Sequence, residues 1–222
     1  MPSWADFNTR RYGATPADAI RFNKMVELVP SGSDVIEVGA GDGYLGERLV
    51  KEKHCRYQGF DISAASVDLA RKMGRNVSLL DVVEKPLPVT QPVDVIVAGE
   101  IIEHVVDTTA LLRKLRAALK SGGLLILTTP NLASFGRRLL LLFGRNPHME
   151  VALDLKGGEA GHLRYFVRDT LVELLKHAGF EAETVVSDRV NLTAGGFGLA
   201  WPARICPALG RSLIVRARAV EE

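Results

Sequence analysis

The sequence predicts an α/β fold: a doubly wound, mostly parallel seven-stranded sheet with one antiparallel strand near the C-terminus. Three observations carry that expectation. Short runs rich in Val, Ile and Leu alternate with helical stretches. The runs are apolar almost throughout, as strands buried on both faces of a parallel sheet must be. The last two runs have only a Gly- and Pro-bearing connection between them, which suits an antiparallel closure.

Taken in order, residues 35–38, 57–60, 77–80, 93–98 and 124–128 read as the parallel strands. Residues 108–120 read as a helix, with Leu111, Leu112, Leu115 and Leu119 on one stripe, Asp107 as its N-cap and Gly122-Gly123 as its stop. A second helix over 170–178 places Thr170 and Glu173 at capping-box spacing and ends at Gly179. Residues 180–186 and 212–219 read as the closing strands, joined by the excursion 191–210. The stretch 131–161 has no strand signal and is expected to form a helix plus a loop over the C-terminal edge of the sheet, where open α/β sheets bind ligands.

With 222 residues, 47% of them hydrophobic and 24% charged, the chain has material for one globular domain over 1–222. Within it, 1–30 is expected to be a lid or helix, 31–130 the ligand-binding half, 131–165 a cover, and 166–222 a C-terminal helix and strand hairpin. Trp4, Phe7 and Tyr12 would fold over the ligand or pack on the sheet. The longest apolar run, 139–143, is far short of the roughly 20 residues that span a bilayer, and the N-terminus lacks a signal peptide's apolar core. Cytoplasmic residence follows as an expectation. Cys55 and Cys206 stand far apart with no CxxC spacing, which supports neither a disulfide framework nor a zinc knuckle. A formal charge of +2 is too mild to argue for nucleic acid.

The most informative segment is Val35-Ile-Glu-Val-Gly-Ala-Gly-Asp-Gly-Tyr-Leu-Gly, a buried strand that runs through close-set glycines into a helix. Gly39, Gly41 and Gly43, with Ala40 and Tyr44 among them, form a turn whose bare backbone a ligand can touch. Asp61, at the end of the next strand beside Ile62, can accept hydrogen bonds from both hydroxyls of a ribose. Asp81, beside Val82 after the third strand, is placed to reach an adenine amino group. Three strand ends therefore converge on one adenosine-like ligand.

This arrangement resembles the class I S-adenosylmethionine-dependent methyltransferases, whose first motif, acidic-x-Gly-x-Gly-x-Gly, is met by Glu37, Gly39, Gly41 and Gly43. The likeness continues through Val93-Asp-Val-Ile-Val-Ala-Gly-Glu-Ile-Ile-Glu-His, Leu124-Leu-Ile-Leu-Thr-Thr-Pro-Asn, Gly161-His-Leu-Arg-Tyr-Phe and His177-Ala-Gly-Phe. It covers about residues 30–190 and is similar to the branch that holds ubiquinone-pathway O-methyltransferases and other small-molecule methyltransferases. The resemblance implies a Rossmann-like methyltransferase fold and S-adenosylmethionine as cofactor. It implies that Glu37 and the glycine turn hold the methionine part, Asp61 the ribose, and Asp81 with Val82 the adenine, with Gly99 and Glu100 completing the site. The same glycines also spell GxGxxG over 41–46, the dinucleotide fingerprint. Gly39 and Glu37 ahead of them fit methyl transfer better.

Methyl transfer needs in-line alignment of nucleophile, methyl and sulfur, plus a base where the nucleophile carries a proton. Glu103 and His104, just past the fourth strand, and His162 in a later loop are the candidate catalytic residues. His104 is first choice as base, because an imidazole of pKa about 6.5 suits neutral pH; its rival roles are capping the following helix or lining the pocket. His162 would reach the acceptor or anchor its loop. No Asn/Asp-Pro-Pro-Tyr motif follows the fourth strand, so the resemblance favours a small-molecule or glycan acceptor methylated at oxygen.

Two other readings stand beside that one. Glu100, Glu103, His104 and His162 resemble the metal-holding set of small-RNA terminal 2′-O-methyltransferases. The chain lacks those enzymes' extra domains and an aromatic, basic stretch for gripping RNA, and Glu-His pairs are commoner in metal-free relatives, so no metal is expected. A non-catalytic S-adenosylmethionine-binding module is the third reading. Arg137-Arg138, the apolar run 139–143 and Arg145 form either a cover over the pocket or an amphipathic membrane-surface segment.

Overall fold

The computed structural model describes residues 16–147, 161–191 and 198–220, with side chains from residue 19 onward. Trp4, Phe7 and Tyr12 lie outside the described residues, as does the part of the expected cover at 148–160. Among the described residues no helix is long and apolar enough to cross a membrane.

Helix α1 (Pro16–Leu28) leads into β1 (Asp34–Val38), α2 (Tyr44–Lys53), β2 (Arg56–Asp61), α3 (Ala64–Lys72), β3 (Val77–Leu79) and β4 (Val93–Gly99). There follow α4 (Thr108–Ala117), β5 (Leu119–Pro130), α5 (Phe135–Leu142), α6 (Arg168–His177) and β6 (Phe180–Val186). A small hairpin, β7 (Val190–Asn191) and β8 (Gly198–Leu199), and a short helix α7 (Trp201–Ile205) precede β9 (Ser212–Ala219). The sheet runs β3-β2-β1-β4-β5-β9-β6. β9 is the reversed strand, antiparallel to both β5 and β6, so the seven-stranded, mostly parallel sheet with one antiparallel strand is as expected.

Parity along the strands explains the double winding. Ile36, Val38, Ile96, Ala98, Leu125, Leu127, Leu213 and Val215 pack on one face with Leu111, Leu112, Leu115, Leu171 and Leu175 of α4 and α6. Val35, Val95, Val97, Leu124, Ile126 and Ile214 pack on the other with Met25 and Val26 of α1 and Leu45 and Leu49 of α2. Period-two alternation with both classes apolar leaves a strand no solvent face. Glu37 shares the parity of Val35, so it is a carboxylate on an otherwise apolar face.

Two boundaries differ from expectation. The helix over 108–120 stops at Ala117, and Leu119 already pairs in register with Val93. The edge of β4 captures the chain, since Val93 N–H donates to Ala118 O at 3.0 Å, and Gly122-Gly123 fall inside β5 rather than ending the helix. The helix over 170–178 begins at Arg168, with Thr170 closing the first turn from inside. Its hydroxyl accepts from Val167 N–H at 3.2 Å and donates to Val167 O at 3.1 Å. The expected helix after residue 131 is α5.

Candidate functional site

The turn between β1 and α2 is held in a left-handed backbone by its composition. Gly39, Gly41 and Gly43 have φ of 71°, 56° and 74°, a region L side chains enter at a cost. At Gly43 space decides as well, because a Cβ would sit 2.8 Å from Val77 Cγ2. Backbone bonds tie the turn to the neighbouring strand: Ala40 N–H donates to Phe60 O at 3.0 Å. Asp61, buried at the end of β2, accepts from Gly41 N–H at 2.7 Å and from Ser63 N–H at 2.8 Å. Burial pushes its carboxyl above the usual range against those two hydrogen bonds. The residue expected to meet the ribose thus also fixes the turn, with lone pairs left on each oxygen.

Glu37 is buried behind that turn and accepts the Tyr57 hydroxyl at 2.5 Å. Desolvation pushes its carboxyl up to about 8, opposed by the Tyr57 hydrogen bond and helped by the charges of Asp61 and Asp42. Gly46 belongs to this pair, since a Cβ there would lie 2.0 Å from the Tyr57 ring. The last glycine of the GxGxxG string therefore makes room for a tyrosine that holds Glu37. The other side of the turn rests on Arg75, paired with Asp42 at 3.0 Å and Glu47 at 2.6 Å, its guanidinium 5.8 Å from the Tyr44 ring. Phe22 of α1 meets Tyr44 edge-on at 5.4 Å.

The remaining strand ends lie along the same edge. Leu80 N–H donates to Asp61 O, and Asp81 accepts from Val83 N–H at 2.9 Å and Glu84 N–H at 3.3 Å, so its carboxylate shapes its own turn. Val82 is buried beside it, and Ile62 is half-buried beside Asp61. Gly99 ends β4 within reach of Gly39: a Cβ on Gly39 would lie 3.9 Å from Gly99 O. Glu100 holds a φ of 54°, unusual for a residue with a side chain. It is gripped by Thr128 Oγ1, which donates at 2.9 Å, and by Arg21 of α1 at 2.9 Å.

Past Glu100 the chain makes one 3-10 turn, Ile102–His104. Glu103 is buried, with Oε2 accepting from Thr129 Oγ1 at 3.0 Å and Oε1 lacking a hydrogen-bond partner among the described residues. Burial, then the negative charge of Glu100, holds its carboxyl well above the usual carboxylate range. The loop carrying His162 is stitched to this turn, since Leu163 and Arg164 N–H donate to Glu103 O at 2.8 and 3.1 Å. Arg164 adds its guanidinium to the Val105 and Val106 carbonyls. His162 Nε2 lies 3.9 Å from Glu103 Oε1, and the His104 and His162 rings are 4.9 Å apart. One donor atom from each of Glu103, His104 and His162 falls within 4.8 Å of the others. Of the four residues that resembled a metal set, the structure gathers these three and turns Glu100 toward Arg21 and Thr128.

His104 Nδ1 lies 3.1 Å from Gly161 O. A carbonyl only accepts, so this nitrogen carries the proton and the neutral ring's basic lone pair is on Nε2. His104 does not cap the next helix, a role taken by Asp107, which accepts Ala110 N–H at 2.9 Å. Arg21, Tyr57, Arg75 and Thr129 were not singled out from sequence. Only Tyr57 left a trace, in the glycine at 46 that clears its ring.

The methyltransferase domain family matches residues 9–185. The chain is 32% identical over 155 residues to a protein of Mycolicibacterium smegmatis named a probable S-adenosylmethionine-dependent methyltransferase, covering 69% of this chain and 54% of that one. It is 32% identical over 106 residues to the ubiquinone biosynthesis O-methyltransferase of Idiomarina loihiensis, covering 45% and 43%. It spans about half the length of the curated relatives it matches. The structure of the CcbJ methyltransferase from Streptomyces caelestis shares the fold, with a TM-score of 0.68 at 17% identity over 98% of this chain and 96% of that one. The glycine turn with its acidic partners and the family match agree: the chain belongs to the class I S-adenosylmethionine-dependent methyltransferases.

Proposed function

We propose that this chain binds S-adenosylmethionine along the Gly39–Gly43 turn and transfers its methyl group to an oxygen of a small-molecule or glycan acceptor. The convergence of Glu103, His104 and His162 at the sheet edge that carries the glycine turn supports this reading most. Glu37, Gly39, Ala40, Gly41, Gly43 and Tyr44 would hold the methionine end, Asp61 and Ile62 the ribose, Asp81 and Val82 the adenine, and Gly99 and Glu100 the near wall. S-adenosylmethionine, when bound, would supply an activated methyl group that leaves its sulfur as the acceptor oxygen takes it, and His104 Nε2 would receive the hydroxyl proton. Burial and the charge of Glu100 raise the Glu103 carboxyl above the usual carboxylate range, which favours a protonated form that would donate to the acceptor or to His162. Two separated thiols, Cys55 buried and Cys206 exposed and both unbonded, fit a reducing, cytoplasmic compartment.

Calorimetric titration with S-adenosylmethionine, S-adenosylhomocysteine and NADH, each with and without EDTA, tests the cofactor half. Binding of both adenosyl ligands and not NADH is expected; failure of both to bind removes the reading. With an acceptor found by screening hydroxylated metabolites and glycans, His104→Ala should lower kcat by about 10²- to 10⁴-fold while leaving S-adenosylmethionine affinity unchanged. Loss of binding instead would make His104 a cofactor contact.

Glu103 Oε1, which has no hydrogen-bond partner among the described residues and faces His162 Nε2 at 3.9 Å, favours one variant of this reading, in which the transfer is metal-assisted. Glu103, His104 and His162 offer one carboxylate and two imidazoles, a donor set that fits a first-row divalent ion. Such an ion, when bound, would acidify the acceptor hydroxyl. Stoichiometric Mn²⁺ or Zn²⁺ binding lost in His162→Ala would establish it, and activity undiminished in EDTA would exclude it.

A further inference from the structure

Helix α5 has no buried residue, unlike α1, α2, α3, α4 and α6. Its apolar run ends in solvent, with Leu141 66%, Leu142 75% and Phe143 75% exposed. Arg145 lies beside Phe143, Arg138 is exposed with its Nε donating to Ala133 O, Arg137 turns back to Asn131 O, and no acidic residue occurs between 131 and 147. The insert between β6 and β9 repeats the pattern: Trp201 is 62% and Ile205 77% exposed on α7, with Arg204 between them. The two inserts are bound to each other. Asn131 Nδ2 donates to Ala208 O at 2.9 Å and Gly210 O at 2.8 Å, and a Cβ on Gly136 would lie 3.3 Å from Asn191 O. A recess of about 640 Å³ beside α5, reaching Leu132, Leu141 and Pro147, is rimmed by the same arginines.

We propose that α5 and α7 together seat this protein on an anionic phospholipid surface, with the exposed Leu, Phe, Trp and Ile side chains entering the acyl boundary and the arginines meeting headgroup phosphates. Charge chooses this occupant. Guanidinium groups pair with phosphate in a bidentate way, whereas the same patch on a second copy would bring arginines against arginines. Aromatic and aliphatic side chains ringed by basic ones are the composition by which amphipathic segments lie in a membrane interface. The proposal is independent of the reaction assigned above, because it needs only the surface of two inserts.

Vesicle flotation tests it, using phosphatidylcholine vesicles with and without phosphatidylglycerol at low and high salt. The chain should bind the phosphatidylglycerol vesicles, release at high salt, and ignore phosphatidylcholine alone. Arg138→Glu with Arg145→Glu should weaken binding by about fivefold per arginine, and Leu142→Asp with Phe143→Asp by tenfold or more. These side chains are largely exposed, so melting monitored by circular dichroism should not change. Absence of binding to phosphatidylglycerol vesicles, or both double variants binding like the parent, would overturn the proposal. So would a concentration-dependent dimer, dissolved by Leu142→Asp with Phe143→Asp and formed without affinity for vesicles, since it would give the face to a second copy.

Discussion

The β1–α2 turn and the Glu103 cluster sit on the same edge of the sheet, yet they are built differently. At the turn, Asp61 spends both carboxylate oxygens on backbone N–H groups, Glu37 is closed off by Tyr57, and Arg75 clamps Asp42 and Glu47. At the cluster, Glu103 keeps one buried oxygen without a hydrogen-bond partner among the described residues, and its two histidines arrive from a turn and a loop that are joined by backbone bonds, by Arg164 and by His104 Nδ1 at Gly161 O. The first region has its polar groups paired within the fold, so the turn is held in shape by the protein alone. The second holds a buried group that a bound acceptor or ion can complete, and an unmade hydrogen bond of that kind is expensive to leave and favourable to fill.

The largest effect expected on this contrast comes from Glu37. Its folded carboxyl is raised from 4.5 to about 8, so the native state holds a proton that the unfolded state has lost over that window. Stability from this group is therefore full below about pH 4.5 and falls as pH rises toward 8. Glu37→Gln should remove that slope, making the ligand-free variant more stable than the parent by several kcal/mol at pH 8 and no more stable at pH 4.5. Urea unfolding across that range reads it, and parallel curves would show that Glu37 is not desolvated as described.

Gly43→Ala should come next. It combines a left-handed backbone with a Cβ 2.8 Å from Val77 Cγ2, and should cost about 2 to 4 kcal/mol of stability, measured by the same unfolding. A loss below about 1 kcal/mol would mean that the turn is softer than the comparison requires. Asp61→Ala should weaken S-adenosylmethionine by about 1 to 3 kcal/mol in calorimetry. Unchanged affinity would leave Asp61 only its bonds to Gly41 and Ser63. The smallest change belongs to Arg21→Ala, which removes a partly exposed pair with Glu100 and should shift stability by less than about 1 kcal/mol. A larger loss would show that α1 and the cluster depend on each other more than their contacts suggest.

What could be read in advance follows the same division. Glycine stands at 39, 41 and 43, where the backbone turns left-handed, so that turn was visible as composition, and the acidic strand ends Asp61 and Asp81 were visible as position. The alternation of Ile36 and Val38 with Val35 marked a strand buried on both faces. His104 and Glu103 could be named from a short segment, but not their meeting with His162, because the bonds from Leu163 and Arg164 to Glu103 O close a long loop. Glu100 was grouped with them by sequence spacing. Its positive φ and its grip by Arg21 and Thr128 sent its side chain elsewhere. The stop of α4 at Ala117 was missed because a neighbouring strand, rather than a glycine, ended the helix.

By itself the sequence determined the class of fold, the reversed strand near the end, the glycine turn and the acidic residues of the strand ends, since periodicity and backbone freedom are local properties. The tertiary structure alone decided which carboxylates are buried and which have partners. It raised Glu37 and Glu103 above the range of free carboxylates, set Tyr57 under Gly46, brought His162 to Glu103, and left the apolar tip of α5 in solvent. Those outcomes depend on desolvation and on contacts between residues distant along the chain, which no local pattern encodes.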